Sequence, residues 1–318
     1  MDKYKGSIVT FSAGMFAEYL SKIIKFKNYP RYILYDKSYY NNFLVENNNK
    51  PLIILGLYHV YNWDLPSNNN PKVFYKELIK NVEKIAIYFI GTDIEHFNKN
   101  DSDQNKKIIN YIKKNNCILL CESKFMQNYI YNFLNLECKI VPMPIKNKDI
   151  FKNGFIFPND NLHIGIYMPN DRKDFYNHSV ILKIIEKCPN FKFYYFCNGG
   201  YKISKEDINY DNITYFENEI SMNDLYSKVN CLIRITDHDG EPQTGVESMM
   251  LGKYFIFNQD MKYCKNIGND KSNYVNNTIN FLNDIHSNLI FNKEASDYYL
   301  NRNSDENFIN NINSIFEK

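Results

Sequence analysis

The sequence has little of what marks a membrane protein or a nucleic-acid-binding protein. Its longest strongly apolar run is Leu52 to Leu57, whereas a membrane-spanning helix needs about 20 apolar residues. The opening stretch, MDKYKGSIVTFSAG, lacks the apolar segment of a signal peptide. The net charge of +2 provides no basic surface for nucleic acid. We therefore expect no transmembrane segment and no nucleic-acid partner.

The sequence also lacks the cysteine spacings of metal and redox sites. Its seven cysteines are scattered, and the nearest pair, Cys117 and Cys121, matches neither a zinc knuckle nor a redox CxxC motif. An odd number of cysteines without a secretory signal favours reduced, packed thiols. We therefore expect a cytoplasmic protein.

A dinucleotide-binding glycine motif is absent as well. The predicted first strand, Ser7 to Phe11, is followed by the turn Ser12-Ala13-Gly14 and a helix from Met15 to Phe26. This order is Rossmann-like, but a single glycine in the turn argues against a nicotinamide or flavin enzyme. Gly14 is either a ligand contact at this turn or part of an ordinary tight turn.

What the sequence does contain is a regular alternation of apolar strands and amphipathic helices. Such alternation predicts an α/β protein with parallel sheets and helices on both faces. The stretch at 146–160, KNKDIFKNGFIFPND, looks like an interdomain linker, so we predict a first domain at 1–145, this linker and a second domain at 161–293. Residues 294–318 are predicted to form a polar C-terminal helix.

The most informative stretch is CLIRITDHDGEPQTGVESMMLGKYFIFN, residues 231–258. It predicts a buried strand, an acidic loop, a helix from Thr244 to Leu251 and a second strand. In parallel sheets, loops that lead from a strand into a helix N-terminus are places where phosphates bind. Glu247 lies one helical turn in, where it is either a ligand contact or, with Thr244, part of a capping box.

This stretch resembles the E-x7-E segment of the large retaining glycosyltransferase family with the GT-B fold. Asp239-Gly240 is followed eight residues after Asp239 by Glu247 and then by Ser-Met-Met-Leu-Gly-Lys. The chain departs from the family where Asp239 replaces the usual Glu, and where Pro242 and Gln243 replace Gly and Leu. The resemblance implies two Rossmann-like domains facing a cleft, with the last helix crossing back to the first domain.

The resemblance also implies a reaction. It suggests that a sugar moves, with retained anomeric configuration, from a nucleotide-sugar to a glycan, lipid or protein acceptor without a metal or other cofactor. Glu247 would bind the ribose hydroxyls, and Asp239 would lie near the sugar with His238 as a further catalytic candidate. The other donor-binding candidates surround the start of the helix: Gly240, Glu241, Gln243, Thr244 and Gly245.

Two further candidate positions follow predicted strands. Arg172 and Lys173 match, without the family's spacing, the basic pair that neutralises donor phosphates; the alternative is a solvated charge pair. Asp93 follows the predicted strand Lys84 to Ile90, where the resemblance implies contact with an acceptor hydroxyl. Asp93 could equally cap the next helix.

Other interpretations of these residues stay open. Asp237 and Asp239 form a D-x-D, a pattern that could hold a divalent cation with a diphosphate, although the two-domain alternation favours GT-B. The alternatives in function are a GT-B-like sugar-nucleotide epimerase or hydrolase, and a nucleotide-sugar-binding protein without catalysis.

Overall fold

The computed structural model describes residues 5–10, 14–30, 42–43, 45–46, 48–56, 82–91, 102–197, 210–216 and 219–317. The chain divides into two compact units. Unit 1 consists of Met1–Lys146 with Asp305–Lys318, and unit 2 consists of Asn147–Ser304. In the described residues each unit contains one six-stranded sheet, and these strands pair in parallel. The predicted α/β architecture of two parallel sheets is confirmed.

Unit 1 is built on a sheet of order β2-β1-β3-β4-β5-β6. The central strands at Gly6–Thr10, Leu52–Leu55 and Ile85–Phe89 are buried on both faces, as expected for parallel strands covered by helices. The strands are β1 Gly6–Thr10, β2 Phe26–Pro30, β3 Leu52–Leu55, β4 Ile85–Phe89, β5 Ile118–Cys121 and β6 Lys139–Ile140. The helices described before unit 2 begins are α1 Gly14–Ile24, α2 Ser102–Lys114 and α3 Lys124–Leu134.

Strand β2 was not predicted from the sequence. The first helix ends at Ile24, and Lys25 takes a positive φ of 58° before the chain enters β2. Pro30 is tolerated because β2 is the edge of the sheet, where the missing N–H breaks no ladder. The candidate Asp93 lies outside the described residues.

Unit 2 is built on a sheet of order β12-β11-β10-β7-β8-β9. From β7 the chain proceeds outward through β8 and β9, then returns to place β10 on the other side of β7. The order therefore reverses between β7 and β10, and ligands of open parallel sheets bind where it does so, beyond the carboxyl ends of the strands. The strands are β7 His163–Tyr167, β8 Lys192–Phe196, β9 Ile213–Tyr215, β10 Cys231–Arg234, β11 Tyr254–Phe257 and β12 Lys265–Asn266.

The helices of unit 2 follow the predicted pattern until the C-terminus. They are α4 His178–Lys187, α5 Met222–Lys228, α6 Gln243–Met250, α7 Tyr274–Ser287 and α8 Lys293–Arg302. The region predicted as a single helix, 294–318, contains two: α8 ends at Arg302, and a separate α9, Asp305–Phe316, belongs to unit 1. No helix in the described part of the chain is long and apolar enough to span a membrane.

The stretch predicted as a linker, 146–160, is mostly exposed, but hydrogen bonds join its second half to later residues of unit 2. The side chain of Asn230 donates to the carbonyl of Pro158 at 3.0 Å, and the Lys253 Nζ donates to the carbonyl of Ile156 at 2.7 Å. Because these contacts hold it, unit 2 begins at Asn147.

Candidate functional site

The corner between β10 and α6 lies near the middle of the unit 2 sheet. A loop at residues 235–242 joins the two elements, and α6 is almost entirely buried. The helix approaches β11 closely at Gly245, where an added Cβ would lie 2.5 Å from a ring carbon of Phe255. Gly245 is therefore required for packing, and this packing sets the position of the helix N-terminus.

The N-terminus of α6 does not form the capping box that was the alternative interpretation of Glu247. Pro242 is the N-cap, and its carbonyl accepts from the N–H groups of Gly245 and Val246 at 2.9 and 3.1 Å. Thr244 lies inside the helix, so it cannot cap it. Pro242 has no N–H group, but at the N-cap position no intrahelical hydrogen bond requires one. The N–H groups of Gln243 and Thr244 are the first of the helix and have no acceptor within it.

Glu247 is a buried carboxylate with a specific partner. Its side chain lies in the second turn of α6, and its Oε2 accepts a hydrogen bond of 2.9 Å from the hydroxyl of Tyr226 on α5. Burial raises the pKa of Glu247 from 4.5 to about 7, and the Tyr226 hydrogen bond opposes that rise. A carboxylate that titrates near neutrality in a buried position is typical of functional sites.

Asp239 is held by Arg234, the last residue of β10. The Nε of Arg234 donates to Oδ2 of Asp239 at 2.6 Å, and Nη2 lies 2.6 Å from the same oxygen. The guanidinium also lies over the rings of Tyr167 and Tyr176, at 5.7 and 5.1 Å from their centroids. Since Tyr167 ends β7 and Arg234 ends β10, this cluster lies where the strand order reverses.

The Glu247–Tyr226 pair and the Arg234–Asp239 pair are electrostatically connected. Tyr226 is fully buried and its pKa lies well above 10, mainly through desolvation and the charge of Glu247, while Arg234 acts in the opposite direction. The structure thus brings Glu247 and Asp239, the two acids of the predicted motif, into one region of unit 2.

Other predicted residues of the loop have structural partners. Glu241 is buried and its carboxylate lies 2.8 Å from Nη1 of Arg302 on α8. Desolvation raises the pKa of Glu241, while Arg302 lowers it. Gly240 and His238 are buried beside it. The Glu241–Arg302 pair ties the loop to α8, so this carboxylate is engaged within the protein.

The predicted basic pair follows β7 in a 3₁₀ turn, Asn170–Arg172. Arg172 is exposed and Lys173 is partly buried. Both residues therefore follow the carboxyl end of β7, at the edge where β10 also ends. Arg234 is a further cation at this edge, with 15% of its side chain exposed.

The two acids of the D-x-D pattern are engaged by different cations. Oδ1 of Asp237 accepts from Lys271 at 2.7 Å, whereas Asp239 is bound by Arg234. Within the described ranges, no group of three or more His, Cys, Asp and Glu side chains is placed to hold a metal ion. Asp237 and Asp239 therefore each form an ion pair with a different cationic side chain.

A cavity of about 620 Å³ lies beside α5 at the carboxyl end of β9. Residues lining it include Tyr215, Phe216, Ser221, Asp224, Ser227 and Lys228. Helix α5 therefore borders this cavity on one side and, through Tyr226, contacts Glu247 on another.

Sequence reasoning missed the partners that fix the two acids. Arg234 could have been found, because a charged residue ending the apolar run Cys-Leu-Ile needs a partner. Tyr226 lies next to the apolar Leu225 in the sequence, and nothing in the pattern indicates a partner for its hydroxyl. Of the candidates from the first half of the chain, Gly14 begins α1 in unit 1, and Asp93 is outside the described residues.

Comparison with known proteins gives matches at the level of structure. No family model matches the chain, and no curated protein matches it. The solved structure of TarM from S. aureus has a TM-score of 0.60 at 14% identity, covering 85% of this chain and 55% of TarM. A glycosyltransferase from Rickettsia africae has a TM-score of 0.65 at 12% identity and covers 98% of both chains. HepE from Anabaena has a TM-score of 0.62 at 8% identity, covering 98% of this chain and 100% of HepE.

The chain has the GT-B fold. At these identities the likeness establishes the architecture, as predicted from the β10–α6 motif. The chain spans just over half the length of TarM, at 55%. In the GT-B fold of this chain, the described acids belong to unit 2.

Proposed function

We propose that the protein is a glycosyltransferase that takes a sugar from a nucleotide-sugar bound in unit 2 and passes it to a glycan, lipid or protein acceptor. The observation that carries the proposal is the buried carboxylate of Glu247 behind the N-terminus of α6, in the corner that follows β10. No cation among the described residues is bonded to this carboxylate, and burying an unpaired charge costs folding free energy. A ligand that donates hydroxyl hydrogen bonds would stabilise the charged carboxylate.

The proteins of similar fold support the choice of donor. HepE is described in complex with UDP and glucose, and TarM in complex with UDP. Those ligands belong to those proteins, and they make UDP and UDP-sugars the first compounds to test here.

We assign the donor's parts to groups of different chemistry. Glu247 accepts hydrogen bonds from the ribose hydroxyls, since an ionised carboxylate can accept two. The first N–H groups of α6, at Gln243 and Thr244, face the diphosphate with the positive end of the helix dipole. This arrangement stabilises negative charge on the leaving diphosphate without a metal ion, with Arg172 and Lys173 as further cations.

Asp239 is proposed to lie against the transferred sugar, where it binds a hydroxyl or stabilises positive charge at the anomeric carbon. Retention of configuration is part of this proposal, carried by the resemblance of the motif. The Arg234 ion pair leaves Asp239 in a fixed orientation for this role.

The same ion pair favours a second candidate function. An aspartate that is shorter than the usual glutamate and bound to a buried arginine is a weaker catalytic group. A nucleotide-sugar-binding protein without turnover would retain Glu247 and tolerate this change at Asp239.

The test is an assay of UDP release from UDP-glucose and UDP-N-acetylglucosamine, with and without a panel of glycan, lipid and peptide acceptors. Acceptor-dependent release that persists in EDTA is expected. Release or epimerisation without any acceptor would favour the hydrolase or epimerase, and UDP binding without release would favour the binding protein. Activity that is lost in EDTA and restored by manganese would contradict the metal-independent mechanism.

A further inference from the structure

We propose that Tyr226 is the positioning residue of the donor site: its hydroxyl fixes the carboxylate of Glu247 against helix α5, the helix that lines the cavity beside β9. This inference rests on the proposed function, because it names the group that holds the carboxylate expected to bind the donor.

The geometry of Tyr226 supports this role. Its side chain is 2% exposed, and its hydroxyl lies 2.9 Å from Oε2 of Glu247 and 3.2 Å from the carbonyl of Thr244. A phenol has one proton to donate, so it can serve only one of these acceptors fully at a time. The shorter contact goes to Glu247, and both acceptors lie on α6.

This pair of acceptors keeps the network satisfied in both ionisation states of Glu247. When the carboxylate is ionised, Tyr226 donates to it. When the carboxyl is protonated, it can donate to the Tyr226 oxygen, whose own proton then turns to the Thr244 carbonyl. A buried network satisfied in both states is one that stays rigid, so the carboxylate keeps its place as the pH changes.

Helix α5 has two distinct faces. Asp224, Ser227 and Lys228 lie at helical spacing along the wall of the cavity, while Leu225 and Tyr226 are buried on the side that faces the core. Ser221 caps the helix by accepting from the N–H of Asp224 at 3.1 Å. Tyr226 is thus a direct link between the helix that borders the cavity and the acid of α6.

Charged groups around Tyr226 come from three other elements. Glu247 approaches from α6, Arg234 from the end of β10, and Lys253, just before β11, lines a small space together with Tyr226. The Tyr226 hydrogen bond lowers the pKa of Glu247. Removing the hydroxyl should therefore raise the pH at which Glu247 ionises.

The experiment measures UDP affinity by calorimetry between pH 5.5 and 8.5 for the wild type, Tyr226→Phe and a matched control, Tyr195→Phe. Tyr195 is 1% exposed on β8, and its hydroxyl has no hydrogen-bond partner among the described residues. Both changes remove one buried phenolic oxygen from unit 2 and leave the ring in place. Melting curves without ligand report any loss of folding separately.

We expect Tyr226→Phe to weaken UDP binding about ten- to a hundredfold, in line with the loss of a hydrogen bond to a charged group, and to move the midpoint of its pH dependence upward. Tyr195→Phe should match the wild type in both respects. Equal affinity and an equal midpoint in the two variants would overturn the positioning role.

A Glu247→Gln arm separates this inference from the proposed function. If Glu247→Gln loses UDP affinity while Tyr226→Phe behaves like Tyr195→Phe, only the positioning role fails. If Glu247→Gln binds UDP as well as the wild type does, or the wild type binds no nucleoside diphosphate, the proposed donor site itself is wrong.

Discussion

Arg234 contacts a single carboxylate oxygen of Asp239 through two of its nitrogens, each at 2.6 Å. Both side chains are mostly buried, with 15% and 19% of their surfaces exposed. The rings of Tyr167 and Tyr176 flank the same guanidinium. The orientation of Asp239 is therefore set by the end of strand β10, before any ligand binds.

Replacing Arg234 by Met should destabilise unit 2 by about 3 kcal/mol, because Asp239 is left without its counter-charge in a largely buried place. The additional change Asp239→Asn should recover part of that loss, since a neutral amide is cheaper to bury. Urea unfolding of the single and double variants measures both effects.

The matched control is Lys271→Met, which breaks the neighbouring Lys271–Asp237 pair. That pair is exposed, with 63% and 49% of the side chains accessible, so its loss should cost about 0–1 kcal/mol. If the Arg234 and Lys271 variants lose the same stability, the Arg234–Asp239 pair is not the anchor described above.

Gly245→Ala should destabilise the protein by about 1–3 kcal/mol through overpacking, since the new Cβ would lie 2.5 Å from Phe255. It should also weaken UDP binding, because α6 must move to relieve the clash. Gly165→Ala on β7 is the control: its Cβ would meet Leu232 at 3.4 Å, an ordinary contact. Comparable melting temperatures for the two variants would contradict the close packing of α6.

Without ligand, Glu247 should make the wild type less stable as the pH rises from 5 to 7. The folded-state pKa of about 7 lies above the ordinary 4.5, so between these values the folded state binds more protons than the unfolded state. Stability then falls with increasing pH, by about 2 kcal/mol over this window. The unfolding free energy of Glu247→Gln should lack this fall with pH, because a glutamine side chain does not ionise. If the unfolding free energies of the two proteins change with pH in parallel, the predicted effect of Glu247 is wrong.

Lys253 should have the opposite effect at higher pH. It is 1% exposed, and burial lowers its pKa from 10.5 to about 7. Between these values the unfolded state binds more protons, so stability rises with pH, by about 2 kcal/mol from pH 7.5 to 9.5. The unfolding free energy of the wild type minus that of Lys253→Met should therefore increase over that range. A difference that does not change with pH would count against a neutral buried amine.

The sequence was most informative where local pattern and fold agree. The run from Cys231 to Phe257 alternates strand, turn formers, helix and strand, and Gly252 marks the helix end with a positive φ of 69°. These signals depend on neighbouring residues, so the β10–α6 corner could be located from the amino-acid pattern alone. The parallel architecture followed from the same alternation along the whole chain.

The partners of the acids could not be predicted, because they depend on contacts between residues distant in the chain. Tyr226 reaches Glu247 across 21 positions, and Arg302 reaches Glu241 across 61. Spacing within α6 suggested a capping box for Glu247, but burial against α5 decided its partner. Similarly, the polarity of the C-terminal region predicted a helix without revealing the break at Asn303.

The most direct test of the account is calorimetric titration of UDP, at pH 8, into the wild type, Glu247→Gln and Glu186→Gln. Glu186 is an exposed acid on α4 of the same unit, so its change controls for loss of charge. We predict that the wild type and Glu186→Gln bind UDP alike and that Glu247→Gln binds it at least about tenfold more weakly, as expected when a charged hydrogen-bond acceptor is lost. Equal affinity of all three proteins for UDP would contradict a donor site built on Glu247.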